Sequence, residues 1–168
     1  MTLLIDTTRS HAGAALVSLL EEAGREGAFT YVDTTQMNIA PCCGCNYCWL
    51  KTPGICSIKD DHGPLLRQIH TADRVWFITD TKFGFVSFQT KNLVDRLLPL
   101  ATMNLHFKNK QMRHIMRYAH TPDLGILYTG EGDREYLTRW CERVAINFDS
   151  RSLGVFPAEE MKEAVTCI

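Results

Sequence analysis

Five apolar runs of strand length, each separated from the next by a stretch of helical period, constrain this chain more than any other feature. TLLID from Thr2, AFTYVDT from Ala28, RVWFIT from Arg74, LGILYTG from Leu124 and RSLGVF from Arg151 read as strands. Between the first two, Leu16, Leu19, Leu20 and Ala23 mark one face of a helix that ends near Gly24 or Gly27. Leu65, Leu66 and Ile69 mark a second helix, with Asp60 and Asp61 ahead of it as capping residues. A third is expected from Lys91 to Leu98 and a fourth across Tyr136, Leu137, Trp140, Cys141 and Val144. PAEEMKEAV makes the last, with Pro157 suited to its first turn. The mixed-charge segment from Lys108 to Asp123 declares no element.

Parallel neighbours in a sheet need crossover connections, and helices then cover both faces. The reading is therefore an α/β fold with a doubly wound, five-stranded parallel sheet in the flavodoxin-like order 2-1-3-4-5. RVWFIT is continuously apolar in its middle, as a central strand buried on both faces requires. In this order a ligand belongs outside the carboxyl ends of the strands, at the switch between strands one and three. That rule selects TTRSHAG after strand one, DTKFG after strand three and TGEGD after strand four.

With 168 residues, 45% of them hydrophobic, the chain closes one substantial core, so residues 1–168 are expected to form one domain. A formal net charge of −1 gives no electrostatic case for a nucleic-acid or anionic-membrane partner. The first twenty residues carry no basic leader ahead of an apolar run, and no apolar stretch is long enough to span a bilayer; a cytoplasmic protein is expected.

The loop after strand one is the natural anion site, because free amides and the positive end of the next helix converge there. Thr7, Thr8 and Ser10 add hydroxyls and Arg9 adds charge. Neither G-x-G-x-x-G nor a P-loop lysine is present, which favours a monophosphate over a dinucleotide or ATP. The competing reading is that Thr and Ser only cap the helix.

PCCGCNYCWLKTPGICSIKDD, from Pro41, places five of the seven cysteines within fifteen residues of a cysteine-rich loop at 41–59. Cys42, Cys45 and Cys48 follow C-x2-C-x2-C, and Cys56 comes after seven further residues. Three tightly spaced thiolates and a later fourth suit a compact iron-sulfur centre. A four-cysteine zinc site usually draws two separated C-x2-C pairs, and a loop of reduced thiols without metal is the third reading. Cys43 is out of register, Cys141 falls on an apolar helix face as a core residue, and Cys167 is incidental.

These segments carry a family likeness. The cysteine element, with its following Asp-Asp, and FGFVSFQTKNLVDR from Phe83 resemble the flavodoxin-like NAD(P)H-dependent FMN reductase superfamily, and within it the iron-sulfur flavoproteins. Thr7, Thr8 and Arg9 resemble that family's Ser-x-Arg phosphate loop. The resemblance implies an FMN contacted by Thr7, Thr8, Arg9, Ser10, His11, Gly13 and Ala14 at its phosphate. It places Asp80, Thr81, Lys82, Phe83 and Gly84, and Thr129, Gly130, Glu131 and Gly132, beside the ring. It implies a [4Fe-4S] cluster on Cys42, Cys45, Cys48 and Cys56, with NAD(P)H as an electron donor and a small-molecule or protein redox partner. It also implies a homodimer or homotetramer, and chemistry that belongs to the cofactors with no catalytic side chain.

Gly13 and Ala14 depart from the family pattern, removing two side-chain phosphate donors, and Asp80, Thr81 and Lys82 replace its usual Pro, aliphatic and Tyr. The expected function is an FMN-dependent oxidoreductase passing electrons between flavin and cluster. The alternatives are a cluster-free NAD(P)H-dependent FMN or quinone reductase and a flavin-free binding module of the same fold. Lys91, Asp95 and Arg96 are read as structural, with Asp95 and Arg96 anchoring helix to loop, and the basic run from Lys108 to Arg117 as a solvated face.

Overall fold

The computed structural model describes residues 1–168. In chain order the elements are β1 (Thr2–Asp6), α1 (Gly13–Glu22), β2 (Phe29–Asp33), α2 (Tyr47–Leu50), α3 (His62–Thr71), β3 (Arg74–Lys82), β4 (Phe85–Val86) and α4 (Phe88–Asp95). They continue with β5 (Ala101–Lys108), β6 (Gln111–Met116), β7 (Asp123–Thr129), α5 (Arg134–Asn147), β8 (Ser152–Pro157) and α6 (Met161–Cys167). The main sheet runs β2-β1-β3-β7-β8, all parallel, with the two-residue β4 folded back antiparallel on β3. In order of appearance the five parallel strands stand 2-1-3-4-5, and RVWFIT is the central one.

Alternation along each strand sends side chains to two separate cores. Leu3, Ile5, Val75, Phe77, Leu124 and Ile126 point to one face, where Leu65 and Ile69 of α3, Leu93 of α4 and Leu137 and Cys141 of α5 close over them. Leu4, Trp76, Ile78 and Leu127 point to the other, against Leu16 and Leu20 of α1 and Met161 and Ala164 of α6. Cys141 is buried in the first core, where burial pushes its thiol up to about 11. No helix is long and apolar enough to cross a membrane.

Four features differ from the sequence reading. Residues 101–116 form an antiparallel two-stranded ribbon, β5-β6, whose register shifts between Ala101 and Leu105. Of the basic run, Lys108 and Lys110 are exposed as expected, but Arg113 is buried and donates to Ile146 O at 3.0 Å, and Arg117, just past β6, donates from Nε to Pro99 O at 3.1 Å. His114 stacks on Trp49 with ring centroids 4.8 Å apart. Pro157 ends β8, and a 3-10 turn at Ala158–Glu160 comes before α6. Asp61 does not cap α3 with its side chain; its Oδ2 accepts the Asn38 amide at 2.7 Å. Of the pair Asp95 and Arg96, only Arg96 anchors helix to loop, because Asp95 takes the Lys91 ammonium at 2.5 Å.

Candidate functional site

The loops that follow β1, β3 and β7 meet at the carboxyl edge of the sheet, and Asp80 ties them together. Its Oδ2 accepts the Arg9 amide at 3.0 Å and its Oδ1 accepts the Thr129 hydroxyl at 2.8 Å. Thr81 Oγ1 donates to Thr129 O at 2.8 Å, and Asp133 N donates to Gly84 O at 3.1 Å. Asp133 also caps α5 by accepting the Tyr136 amide at 3.0 Å.

Strand β3 returns into β4 through Phe83 and Gly84, with φ of +52° and +76°, between the paired Lys82 and Phe85. Two left-handed residues in a two-residue loop make a type I′ hairpin, which suits Gly84 and strains Phe83 by about 1–2 kcal/mol. The Phe83 side chain is 99% exposed, so no core contact offsets that strain. Strain of this kind concentrates at ligand sites. A cavity of about 450 Å³ lies against the hairpin, lined by Arg9, Asp80, Thr81, Lys82, Phe83 and Phe88 among others. A second, of about 380 Å³, extends from Thr7 and Arg9 to Thr34, Asn38 and Asn92. Thr8, Ser10, His11, Gly13, Ala14, Gly84 and the turn at 129–132 border this region without lining either cavity.

The loop after β1 is closed on itself. Asp6, fully buried at the end of its strand, accepts the Thr8 amide at 2.8 Å, the Thr8 hydroxyl at 2.7 Å, the Gly13 amide at 2.7 Å and the Tyr31 hydroxyl at 2.9 Å. Burial and the bond to Asp6 push the Tyr31 hydroxyl above the ordinary tyrosine range. Thr7 Oγ1 donates to Ile78 O at 2.9 Å and shares a 2.6 Å hydrogen bond with Thr90. Ala12 N donates to Thr8 Oγ1 at 2.8 Å, Ala14 N to His11 O at 3.0 Å, and His11 Nδ1 lies 2.8 Å from Asp33 Oδ2. Asp6 and Tyr31 escaped the sequence reading, and the available signal was a carboxylate terminating an otherwise apolar run.

The cysteine loop is pinned at its base by Arg96. This guanidinium is buried at the end of α4 and grips both Asp60 oxygens, Nη1 to Oδ2 at 2.5 Å and Nη2 to Oδ1 at 2.9 Å. It also donates to Ala40 O at 3.0 Å and Cys56 Sγ at 3.5 Å, so both ends of the loop rest on one side chain. Burial works against the Asp60 charge, but Arg96 and the Ala40 amide outweigh it and hold the carboxyl below its usual range. Trp49 of α2 adds a third anchor, donating from Nε1 to Leu98 O at 2.8 Å. Cys42, Cys45, Cys48 and Cys56 all line one small cavity of about 20 Å³. Cys45 Sγ lies 3.3 Å from the Ser57 hydroxyl, which, with the Tyr47 amide, lowers its pKa; burial first, then the neighbouring thiols, raises that of Cys48. No three of these groups converge tightly enough to hold a metal ion.

No protein-family model matches the chain. A curated iron-sulfur flavoprotein from Methanocaldococcus jannaschii is 35% identical over 94 residues, 56% of this chain and 46% of that protein. The chain resembles the iron-sulfur flavoproteins. A second protein of that name, from Archaeoglobus fulgidus, is 26% identical over 137 residues, 77% of this chain and 52% of its own length. The chain thus spans about half the length of the curated iron-sulfur flavoproteins it matches. Among solved structures, the azoreductase AzrA superposes with a TM-score of 0.64 at 12% identity, over 98% of this chain and 97% of that one. A flavone reductase gives 0.62 at 15%, over 99% of this chain and 60% of that one. A general stress protein 14 from Treponema denticola, solved with FMN, gives 0.53 at 14%, over 98% and 93%. At these identities the likeness is one of fold, and the fold is flavodoxin-like.

Proposed function

We propose that this chain works as an FMN-dependent oxidoreductase of the iron-sulfur flavoprotein kind, taking electrons from a small-molecule donor such as NAD(P)H and delivering them to a redox partner. The observation that carries this reading is the junction of three carboxyl-edge loops at Asp80 beside a cavity of about 450 Å³, with a strained, exposed Phe83 in its lining. A flat heteroaromatic ring suits that lining: Phe83 and Phe88 offer apolar contact, and Thr81 and Lys82 offer polar groups. The phosphate end fits less well, since most amides of the loop at 7–14 already end on the chain's own acceptors. A bound flavin supplies hydride acceptance and stepwise electron release. The chain's own part is positional: Asp80 fixes the three loops relative to one another, and the Phe83-Gly84 turn holds an aromatic group out from the sheet edge.

In the same reading Cys42, Cys45, Cys48 and Cys56 hold a [4Fe-4S] cluster. The donor set suits it in kind: these four thiols, with that of Cys43 as a fifth, line one cavity, and the Arg96 guanidinium donates to Cys56 Sγ at 3.5 Å. Association as a homodimer or homotetramer brings the cysteine loop of one copy to the flavin of another.

The test is the visible spectrum of anaerobically purified protein, with flavin, iron and sulfide counted on the same sample. The expected result is flavin bands over broad cluster absorbance, with about four irons and four sulfides per chain. The second reading, a cluster-free reductase, is favoured by the failure of the thiols to converge, and gives flavin without iron. Protein that is colourless and stays so on adding FMN points to a flavin-free binding module.

A further inference from the structure

The head of α1 is where this fold presents free amides to an anion. Here the anion is already in place and belongs to the protein. Asp6 receives four donors, among them the Thr8 and Gly13 amides, and a second carboxylate, Asp80, receives the Arg9 amide. Thr7 N donates to Ile78 O at 2.9 Å, while Ala12 N and Ala14 N end on Thr8 and His11. Only the amides of Ser10 and His11 keep no partner within the chain, and the His11 ring is held by Asp33. Gly13 belongs to the same arrangement: a Cβ there would stand 2.7 Å from Asp6 Oδ2 and 2.7 Å from the Tyr31 ring. The carboxylate occupies the volume that any side chain at this position would need.

We propose that Asp6, with Asp80, sets the ligand specificity of this site against a phosphate, so that the phosphate adds little to binding and the pocket takes a phosphate-free flavin to within about tenfold of the mononucleotide. A phosphate dianion entering the loop has two courses. It displaces Asp6, stripping a buried carboxylate of four hydrogen bonds, or it settles beside Asp6 and Asp80 with two like charges close by in a partly desolvated place. Either course cancels the advantage that phosphate gives elsewhere at a helix N-terminus. Riboflavin carries the same ring with a neutral ribityl hydroxyl in place of the phosphate and meets neither difficulty. Two nearby cations carry no ion pair: Arg9, which lines both cavities, and Lys82, which lines the larger one beside the hairpin.

This specificity rests on the flavin reading above, and the experiment separates the two. Flavin-free protein is titrated with riboflavin and with FMN, following quenching of flavin fluorescence and, independently, calorimetric heat. The expected result is an FMN affinity less than about tenfold above that of riboflavin, where a working phosphate site contributes more. FMN binding tighter than riboflavin by more than that factor overturns the specificity and leaves the flavin reading standing. Binding of neither flavin overturns both. Asp6→Asn removes the charge while keeping the shape, and shifts the FMN to riboflavin ratio toward FMN by about tenfold or more; an unchanged ratio in a folded variant overturns the role of Asp6. Should that buried substitution unfold the protein, Asp80→Asn, in a less buried carboxylate, gives the same shift in smaller measure, and the wild-type ratio decides the question by itself.

Discussion

Arg96 and Asp60 form the one ion pair of this molecule in which both side chains are almost wholly buried, at 1% and 4% exposure, and each bonds the other through two atoms. Such a pair adds little compared with a well-packed apolar replacement, but removing one partner strands the other without water. Arg96→Met is therefore expected to cost about 3–5 kcal/mol in urea unfolding. The double variant Arg96→Met, Asp60→Leu should recover part of that loss. A loss below about 1 kcal/mol for the single variant, the range of an exposed pair, would mean the clamp is solvated.

A pH dependence follows from His62. It is fully buried in α3, its Nε2 lies 3.4 Å from Leu93 O, and its Nδ1 has no partner. Burial first, and the Arg96 charge second, lower its pKa from 6.5 to about 4. Between those values the unfolded chain takes up a proton that the folded protein refuses, so stability rises with pH across the window and falls as acid is added. Above pH 6.5 both states are neutral at this residue and the effect vanishes. The loss reaches about 3 kcal/mol by pH 4. The depressed Asp60 acts lower, its contribution present above 3.8 and lost as pH falls through its folded value. Urea midpoints at pH 7, 5.5 and 4 measure the slope, and His62→Leu should flatten it between pH 6.5 and 4.

Phe83 stands in the left-handed region with its ring in solvent, so Phe83→Asn should stabilise the protein, because asparagine adopts that conformation more easily. The expected gain is about 1 kcal/mol, read as a higher melting temperature. Flavin affinity should fall in the same variant as aromatic contact is lost. A variant with lower melting temperature and unchanged flavin binding would contradict both roles.

Lys82 is exposed, lines the same cavity, and brings a positive charge to it. That charge favours the reduced, anionic form of a bound flavin, so Lys82→Met is expected to lower the two-electron midpoint by roughly 30 mV, about tenfold in the equilibrium constant. Spectroelectrochemical titration of both proteins measures it, and an unchanged midpoint would place the ammonium away from the ring.

The parallel sheet was legible because its strands are buried on two faces and read as apolar runs, TLLID and RVWFIT above all. The ribbon at 101–116 was not, because it inverts the usual pattern: Met103, Leu105, Phe107 and Met112 are exposed while Arg113 is buried. Three loops were named correctly as neighbours at the carboxyl edge, since topology alone brings them there. What Asp6 and Asp60 do was invisible, because each role depends on residues remote in the chain: Tyr31 and Gly13 for one, Arg96 for the other. A strand-ending Asp and an Asp-Asp ahead of a helix look alike whether they face water, an amide or a guanidinium.

The clamp on the cysteine loop also imposes an order of events during synthesis. Asp60 and all five clustered thiols leave the ribosome before Arg96, which follows Asp60 by 36 residues. At translation rates of roughly 5–20 residues per second, that interval lasts several seconds. Throughout it neither end of the cysteine loop has its Arg96 anchor, which arrives only with the end of α4.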